Sequence, residues 1–338
     1  EYLRTQLTEL KKQPFRFDSI GLGLLLITMV CWEVMISKGQ EWDWLADPLG
    51  RVQTLLIVFL LALTGLIIWE LRHQGPVVNF RPLGERNFLV SCIIIFVAYA
   101  VLYGASTTLP ALLQSLFGYD ALNAGLVMSP SGLFAILLMP VVAFLLGRGK
   151  DARWLILTGL LIMAAGNYWM SQMNLNVSPG QVVWPRVVTI VGLSLCFAPL
   201  NVAAYLYTPM KLRGAAVGLF SLLRSEGGSV GTSLAQTLHE RLDQFHTTRL
   251  GEYLDPFNPA AHSFLHQVQA FFLGHTGDPA LSKEIALQSL AALRLQQASS
   301  LAYFDCFWLF AVMVLVLVPL VFFMRRSVAE KGARIGTE

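Results

Sequence analysis

The sequence predicts an all-α, polytopic membrane protein, and three observations carry that prediction. Of 338 residues, 55% are apolar and only 13% charged, and the mean hydropathy is +0.59, far from the balance of a soluble domain. Apolar runs of about 20 residues, the length that crosses a hydrocarbon core as a helix, recur along the chain. The runs are continuous rather than alternating, which excludes the strands of a membrane barrel.

Eight spans follow, running roughly from Asp18 to Ser37, Val52 to Leu71, Asn87 to Leu109, Ala121 to Leu146, Trp154 to Met173, Val182 to Tyr207, Gly214 to Leu238 and Ser300 to Met324. Pro130, Pro140 and Pro199 lie inside spans, where neighbouring helices re-satisfy freed backbone groups, and predict kinks. The domain reading is a polar segment at 1–17, a pair of spans over 18–71, a bundle over 87–324 and a polar tail at 325–338. Within the bundle, residues 239–299 read as a large outer loop.

Lys and Arg in short loops stay on the cytoplasmic side, so their distribution predicts orientation. One set of alternate segments holds Arg4, Lys11, Lys12 and Arg16; Arg72, Arg81 and Arg86; Arg148, Lys150 and Arg153; Lys211 and Arg213; and Arg325, Arg326, Lys331 and Arg334. The other short loops hold only Lys38, Arg51 and Arg186, so both termini are expected in the cytoplasm. Trp42, Trp44 and Trp184 fall where outer interfacial anchors belong, and Trp69 and Trp154 at the inner interface.

The net charge of +3 is spread over short loop clusters, which argues against nucleic acid as a partner and leaves the lipid bilayer as the medium. Cys31, Cys92, Cys196 and Cys306 stand singly inside apolar runs, as small packing residues rather than a redox or metal set. His262 and His266 have the i, i+4 spacing of two metal ligands but no matching carboxylate, and read as a solvated face. No Walker loop, Ser-His-Asp set or dinucleotide turn is present, so neither cofactor nor enzyme chemistry is expected. The chain opens on Glu1 without a signal-peptide pattern, which predicts further sequence before it.

The seventh span carries the clearest chemical signal, LFSLLRSEGGSVGTSLAQ, placing Arg224 and Glu226 near mid-membrane, where ionisable groups face a wet cavity or a partner. Two positions apart on a helix is a rotation of about 200°, so each needs its own partner. The bland alternative is an arginine that anchors packing through backbone carbonyls. Gly214 with Gly218, and Gly227 with Gly231, form two small-xxx-small pairs suited to close helix approach.

The turn GRGKDARW holds Gly147, expected to permit a tight turn, and Asp151 among Arg148, Lys150 and Arg153. An acid there caps the following helix and pairs with a base, or merely sits in a topogenic loop. Tyr99, Tyr103, Gln114, Asn123, Asn167, Asn201 and Tyr205 are the polar residues within spans, either pathway-lining groups or interhelical hydrogen-bond partners. Glu33 and Asp305 read as interfacial or capping groups.

Taken in order, these residues resemble a known family: the fourteen-span drug:proton antiporters of the major facilitator superfamily, in particular the EmrB-like inner-membrane exporters. The resemblance rests on Gly39 with Trp44; Trp69 and Glu70 before Pro76 and Val77; Asn87 and Phe88; Leu109 and Pro110 with Gln114; Gly118 and Tyr119; and Ala124 to Leu126 with Pro130. It continues through Gly147 to Arg153, Pro199 and Leu200, Arg224 with Gly228 to Thr232, and Asp255 to Pro259.

The resemblance implies that the first two spans are the pair inserted between two six-helix bundles and that the other six form the carboxy-terminal bundle. It makes GRGKDARW a degenerate copy of the superfamily's cytoplasmic gating motif, with Asp151 and Arg153 kept, and Glu226 a departure from an apolar residue. It implies a small-molecule substrate and protons as cargo, and a periplasmic adaptor and an outer-membrane channel as partners. The expected activity is proton-driven export of amphipathic drugs across a bacterial inner membrane. The alternatives are export of a siderophore or other endogenous metabolite, or a non-transporting membrane scaffold. The substrate-pathway candidates are Arg224, Glu226, Tyr99, Asn201 and Tyr205.

Overall fold

The computed structural model describes residues 18–73, 77–176, 178–255 and 257–328. The basic segment at 1–17, Pro76, and Lys331 and Arg334 of the tail fall outside them. Every regular element among the described residues is helical. The long helices are α1 (Ser19–Lys38), α2 (Arg51–Arg72), α3 (Arg86–Ser115), α4 (Ala121–Gly147), α5 (Ala152–Ser171), α6 (Pro179–Tyr205), α7 (Arg213–Glu252), α8 (Pro259–Thr276) and α9 (Pro279–Phe322).

Several helix starts are set by side chains that satisfy the first orphan N–H groups. Asp18 accepts from Gly21 N at 2.9 Å, Asp120 from Asn123 N at 2.9 Å, and Asp278 from Ala280 N at 2.8 Å. Ser178 and Gln181 form a capping box ahead of α6. Four of these helices carry internal prolines, among them Pro130 and Pro140 in α4 and Pro199 in α6, and no helix ends there.

Among the described residues, seven helices are long and apolar enough to cross a membrane, so the chain is a multi-pass membrane protein. Eight spans were expected. The stretch from Gly214 to Leu238 is helical, within α7, but its charged and small polar residues keep it out of the seven. The expected loop at 239–299 is a second departure. There α7 continues unbroken to Glu252, α8 follows, and α9 begins at Pro279 and runs for 44 residues into the last apolar stretch. Asn258 and Asp278 cap α8 and α9, each ahead of a proline at the first turn, so local chemistry favours helix despite modest hydropathy.

The described residues divide into two compact units: residues 18–85 with Thr208–Leu222, and Arg86–Tyr207 with residues 223–328. In the first unit, α1 and α2 pair as a hairpin. Trp69 Nε1 donates to the Asp18 carboxylate at 3.1 Å, and Val78 N donates to Glu70 Oε1 at 3.2 Å, tying the loop after α2 to its last turn.

At the other end of the hairpin, Gly39 leaves room for the Trp44 ring. A Cβ there would lie 2.8 Å from it. Asp47 accepts from Leu49 N, Arg51 N and the Arg51 guanidinium, and the Arg51 hydrogen bonds hold its carboxyl down at about 2. Arg51 also lies 4.5 Å over the Trp42 ring.

In the second unit, α6 packs against α3, α4 and α5, while α9 packs against α3, α5 and α8. The α5–α6 seam is glycine-lined. A Cβ on Gly159 would lie 2.6 Å from Gly192 O, and one on Gly166 would lie 2.9 Å from Pro185 O. The four cysteines are free and buried. His246 Nε2 meets Asp305 Oδ2 at 2.7 Å, joining α7 to α9, so Asp305 is an interhelical partner rather than a cap. His262 and His266 share a face of α8 with rings 5.7 Å apart, in a helix rather than a flexible loop, and no group of three metal-ligating side chains occurs among the described residues.

Candidate functional site

Of the candidate pathway residues, Arg224 and Tyr99 meet in the second unit, among α3, α6 and the part of α7 beyond Leu222. On α7, eleven residues after its start at Arg213, Arg224 is roughly 16 Å along the axis. Its guanidinium carbon lies 5.6 Å from the Tyr99 ring centroid on α3 and 6.0 Å from that of Phe197 on α6. Those separations are within the range of cation–π attraction, which strengthens as water is excluded. The Tyr99 ring in turn sits 6.4 Å from Phe197 and 6.2 Å from Tyr103.

Tyr103 is 48% exposed, so the cluster has one ring open to whatever occupies the face beside it. Phe197 is the member that sequence reasoning missed, because an aromatic inside an apolar run carries no signal of its own. Glu226 is half-buried on α7, two residues beyond Arg224. Asn201 and Tyr205 follow Phe197 on α6, four and eight residues beyond it. Asn201 Nδ2 donates to Phe197 O of its own helix at 2.8 Å, and the Tyr205 ring faces Phe88 at 6.5 Å.

What places Arg224 over these rings is the α3–α7 seam immediately beyond it. A Cβ built on Gly227 would collide with the Phe96 carbonyl, and one on Gly231 with the Ala100 backbone, at 2.5 Å from its Cα and carbonyl carbon. A Cβ on Gly104 would reach Gly231 O at 2.9 Å. The first glycine pair behaves differently. Among the described residues, a Cβ on Gly214 or Gly218 meets no atom within 4 Å.

A second constellation lies where α5 starts and α9 ends. Asp151 caps α5 by accepting from Arg153 N at 3.2 Å, and receives Arg153 Nη2 at 2.8 Å and Nε at 3.0 Å. It also accepts from Ser327 N at 3.1 Å, while Arg153 Nη1 donates to Met324 O at 3.1 Å. Burial pushes the Asp151 carboxyl up, but the Arg153 side chain and the Ser327 and Arg153 N–H groups outweigh it and hold the acid below its usual range.

Asn87, at the start of α3, binds the same tail segment, accepting from Arg325 N at 2.7 Å and donating to Ser327 Oγ at 3.0 Å. Asp151 and Arg153 are thus paired with each other and clamp the segment after α9. The turn's left-handed residue is Gly149, at φ +75°, whereas Gly147 is the last residue of α4, so the turn expected at Gly147 falls two residues later.

Arg186 is a further correction. Expected in a loop, it lies on α6 seven residues after Pro179 and is only 5% exposed. Pro185 beside it lies inside the helix, which runs through it.

The profile of the Major Facilitator Superfamily matches residues 19–232. The multidrug export protein EmrB of Haemophilus influenzae is 32% identical over 320 residues, covering 94% of this chain and 60% of that protein. EmrB of Escherichia coli K12 is 30% identical over 328 residues, 96% of this chain and 61% of that protein. The fatty acid resistance protein FarB of Neisseria gonorrhoeae is 30% identical over 304 residues, 90% of this chain and 58% of that protein. The chain therefore spans about 60% of the length of the curated relatives it matches.

Proposed function

We propose, for a chain that belongs to the Major Facilitator Superfamily, that it forms part of an exporter of amphipathic compounds, driven by proton influx across a bacterial inner membrane. The observation that carries this reading is Arg224 lying over Tyr99 and Phe197, a charge held among aromatic rings on three adjoining helices. An intramembrane charge is costly, and a scaffold has no use for one that a packed apolar residue would replace. In this reading α3, α6 and α7 supply one wall of a midplane site, and a second bundle that rocks against it supplies the other. The names of the multidrug export relatives support the cargo class.

Both termini lie in the cytoplasm in this reading, with the clamp of Asp151, Arg153 and Asn87 on that side, because Lys and Arg gather there. Asp151 and Arg153 then act on the exchange between conformations, far from cargo. The periplasmic adaptor and outer-membrane channel rest on the resemblance to EmrB-like exporters alone.

The test is uptake of a fluorescent amphiphile into everted vesicles carrying the transporter that contains this chain. Accumulation is expected on imposing an inside-acid gradient and is expected to vanish with a protonophore. Accumulation unaffected by the protonophore would contradict proton coupling, and none above empty vesicles would contradict export.

A further inference from the structure

Arg186 is a buried charge that its surroundings do not satisfy. It lies on α6, one of the seven apolar helices, at roughly 10 Å from the helix start. Its Nη2 donates to Ser106 Oγ of α3 at 2.6 Å. That hydroxyl donates its own proton to Leu102 O at 2.6 Å, so it offers Arg186 only a lone pair. Nε and Nη1 of Arg186 are both buried without a hydrogen-bond partner. Elsewhere in this unit, the Asp151 carboxylate pairs with Arg153 and that of Asp305 with His246.

A guanidinium stays charged and presents its N–H groups as a planar fork that fits the two oxygens of a carboxylate. Left among apolar helices, such a charge is retained only where something binds it. The same two helices that hold Arg186 and Ser106 also hold the rings of the candidate wall. Phe197 is eleven residues beyond Arg186 on α6, and Tyr99 seven before Ser106 on α3, or roughly 16 and 10 Å along the axes. An apolar chain of that length, with its head at Arg186, would lie along α3 and α6 and end at the rings.

We propose that Arg186 and Ser106 form a binding site for the carboxylate head of an anionic amphiphile whose apolar body lies against Tyr99 and Phe197. This deepens the exporter reading and rests on it. Arg224, lying over those rings, adds a second positive charge and disfavours a cationic tail end.

The purified chain in phosphatidylcholine nanodiscs is titrated calorimetrically with three probes sharing one alkyl chain: dodecanoate, dodecyltrimethylammonium and dodecyl maltoside. Dodecanoate is expected to bind about tenfold or more tightly than either of the others, the scale of a charge-assisted fork. Arg186→Gln should abolish that preference while leaving maltoside binding within about twofold, and Arg186→Lys, which keeps charge but not the fork, should retain part of it. Melting and gel filtration confirm folding of each variant, and Arg186→Lys alone decides if Arg186→Gln is unfolded.

Equal binding of all three probes by the wild type, or an undiminished dodecanoate preference in the folded variants, overturns the anion site but leaves the exporter reading. Binding by none of the probes overturns both. Discs containing phosphatidylglycerol address a lipid as the source of the anion. Loss of dodecanoate binding there would assign the site to lipid phosphate and overturn the proposal, whereas persistence supports it.

Discussion

Arg224→Ala is expected to slow transport of every amphiphile by about 5- to 30-fold, the equivalent of losing one or two kcal/mol. Two contributions add up to that range. The guanidinium over Tyr99 and Phe197 contributes about 0.5–2 kcal/mol of cation–π attraction, more as the site dries. Its stem also covers apolar surface that alanine leaves bare. Arg224→Lys keeps the charge but not the planar group that stacks on a ring, and should recover only part of the rate. The measurement is initial uptake rate in everted vesicles at matched expression, with one neutral and one charged cargo. An unchanged rate in Arg224→Ala would move the cargo path to another face of the bundle.

Gly231→Val should instead remove folded protein. A Cβ at Gly231 lies inside van der Waals contact of the Ala100 backbone, and backbone cannot rotate away as a side chain can. Separating α3 from α7 to admit it costs about 1–3 kcal/mol or more, and carries Arg224 off its rings. Gly218→Ala, on the same helix but with open space around it, is the matched control and should be neutral or stabilising by up to about 1 kcal/mol through helix propensity. Melting of the purified chain in detergent reads both. Equal melting of Gly231→Val and wild type would mean that the α3–α7 seam is not the packing contact described.

The contrast between those glycines shows where the sequence is legible and where it is not. Two small-xxx-small pairs on α7 look alike as text, because spacing places residues on a face without saying what the face meets. Only the second pair meets a backbone. The seam of Gly159, Gly166 and Gly192 between α5 and α6 passed unread for the same reason.

Apolar length identified seven helices correctly because lipid imposes it one segment at a time. It does not register residues 239–299, where the end of α7, all of α8 and the first part of α9 are helical but more polar than a span. Arg224 was legible as a charge within an otherwise apolar and small-residue helix. Arg186 was counted with the loop charges although it falls inside the span that begins at Val182. Phe197 became part of the site only through its neighbours in space.

If α3, α6 and α7 present a face that cargo touches, Tyr103 is the exposed ring on it. The four native cysteines are buried, so a single cysteine replacing Tyr103 can be followed against a low background. Its rate of labelling by a maleimide is measured in vesicles carrying the transporter, with and without saturating amphiphile. Slowing by about threefold or more with cargo, and no slowing at a cysteine replacing Leu137, which is exposed on α4, is the predicted result. Equal rates at position 103 with and without a cargo that is demonstrably exported would contradict it.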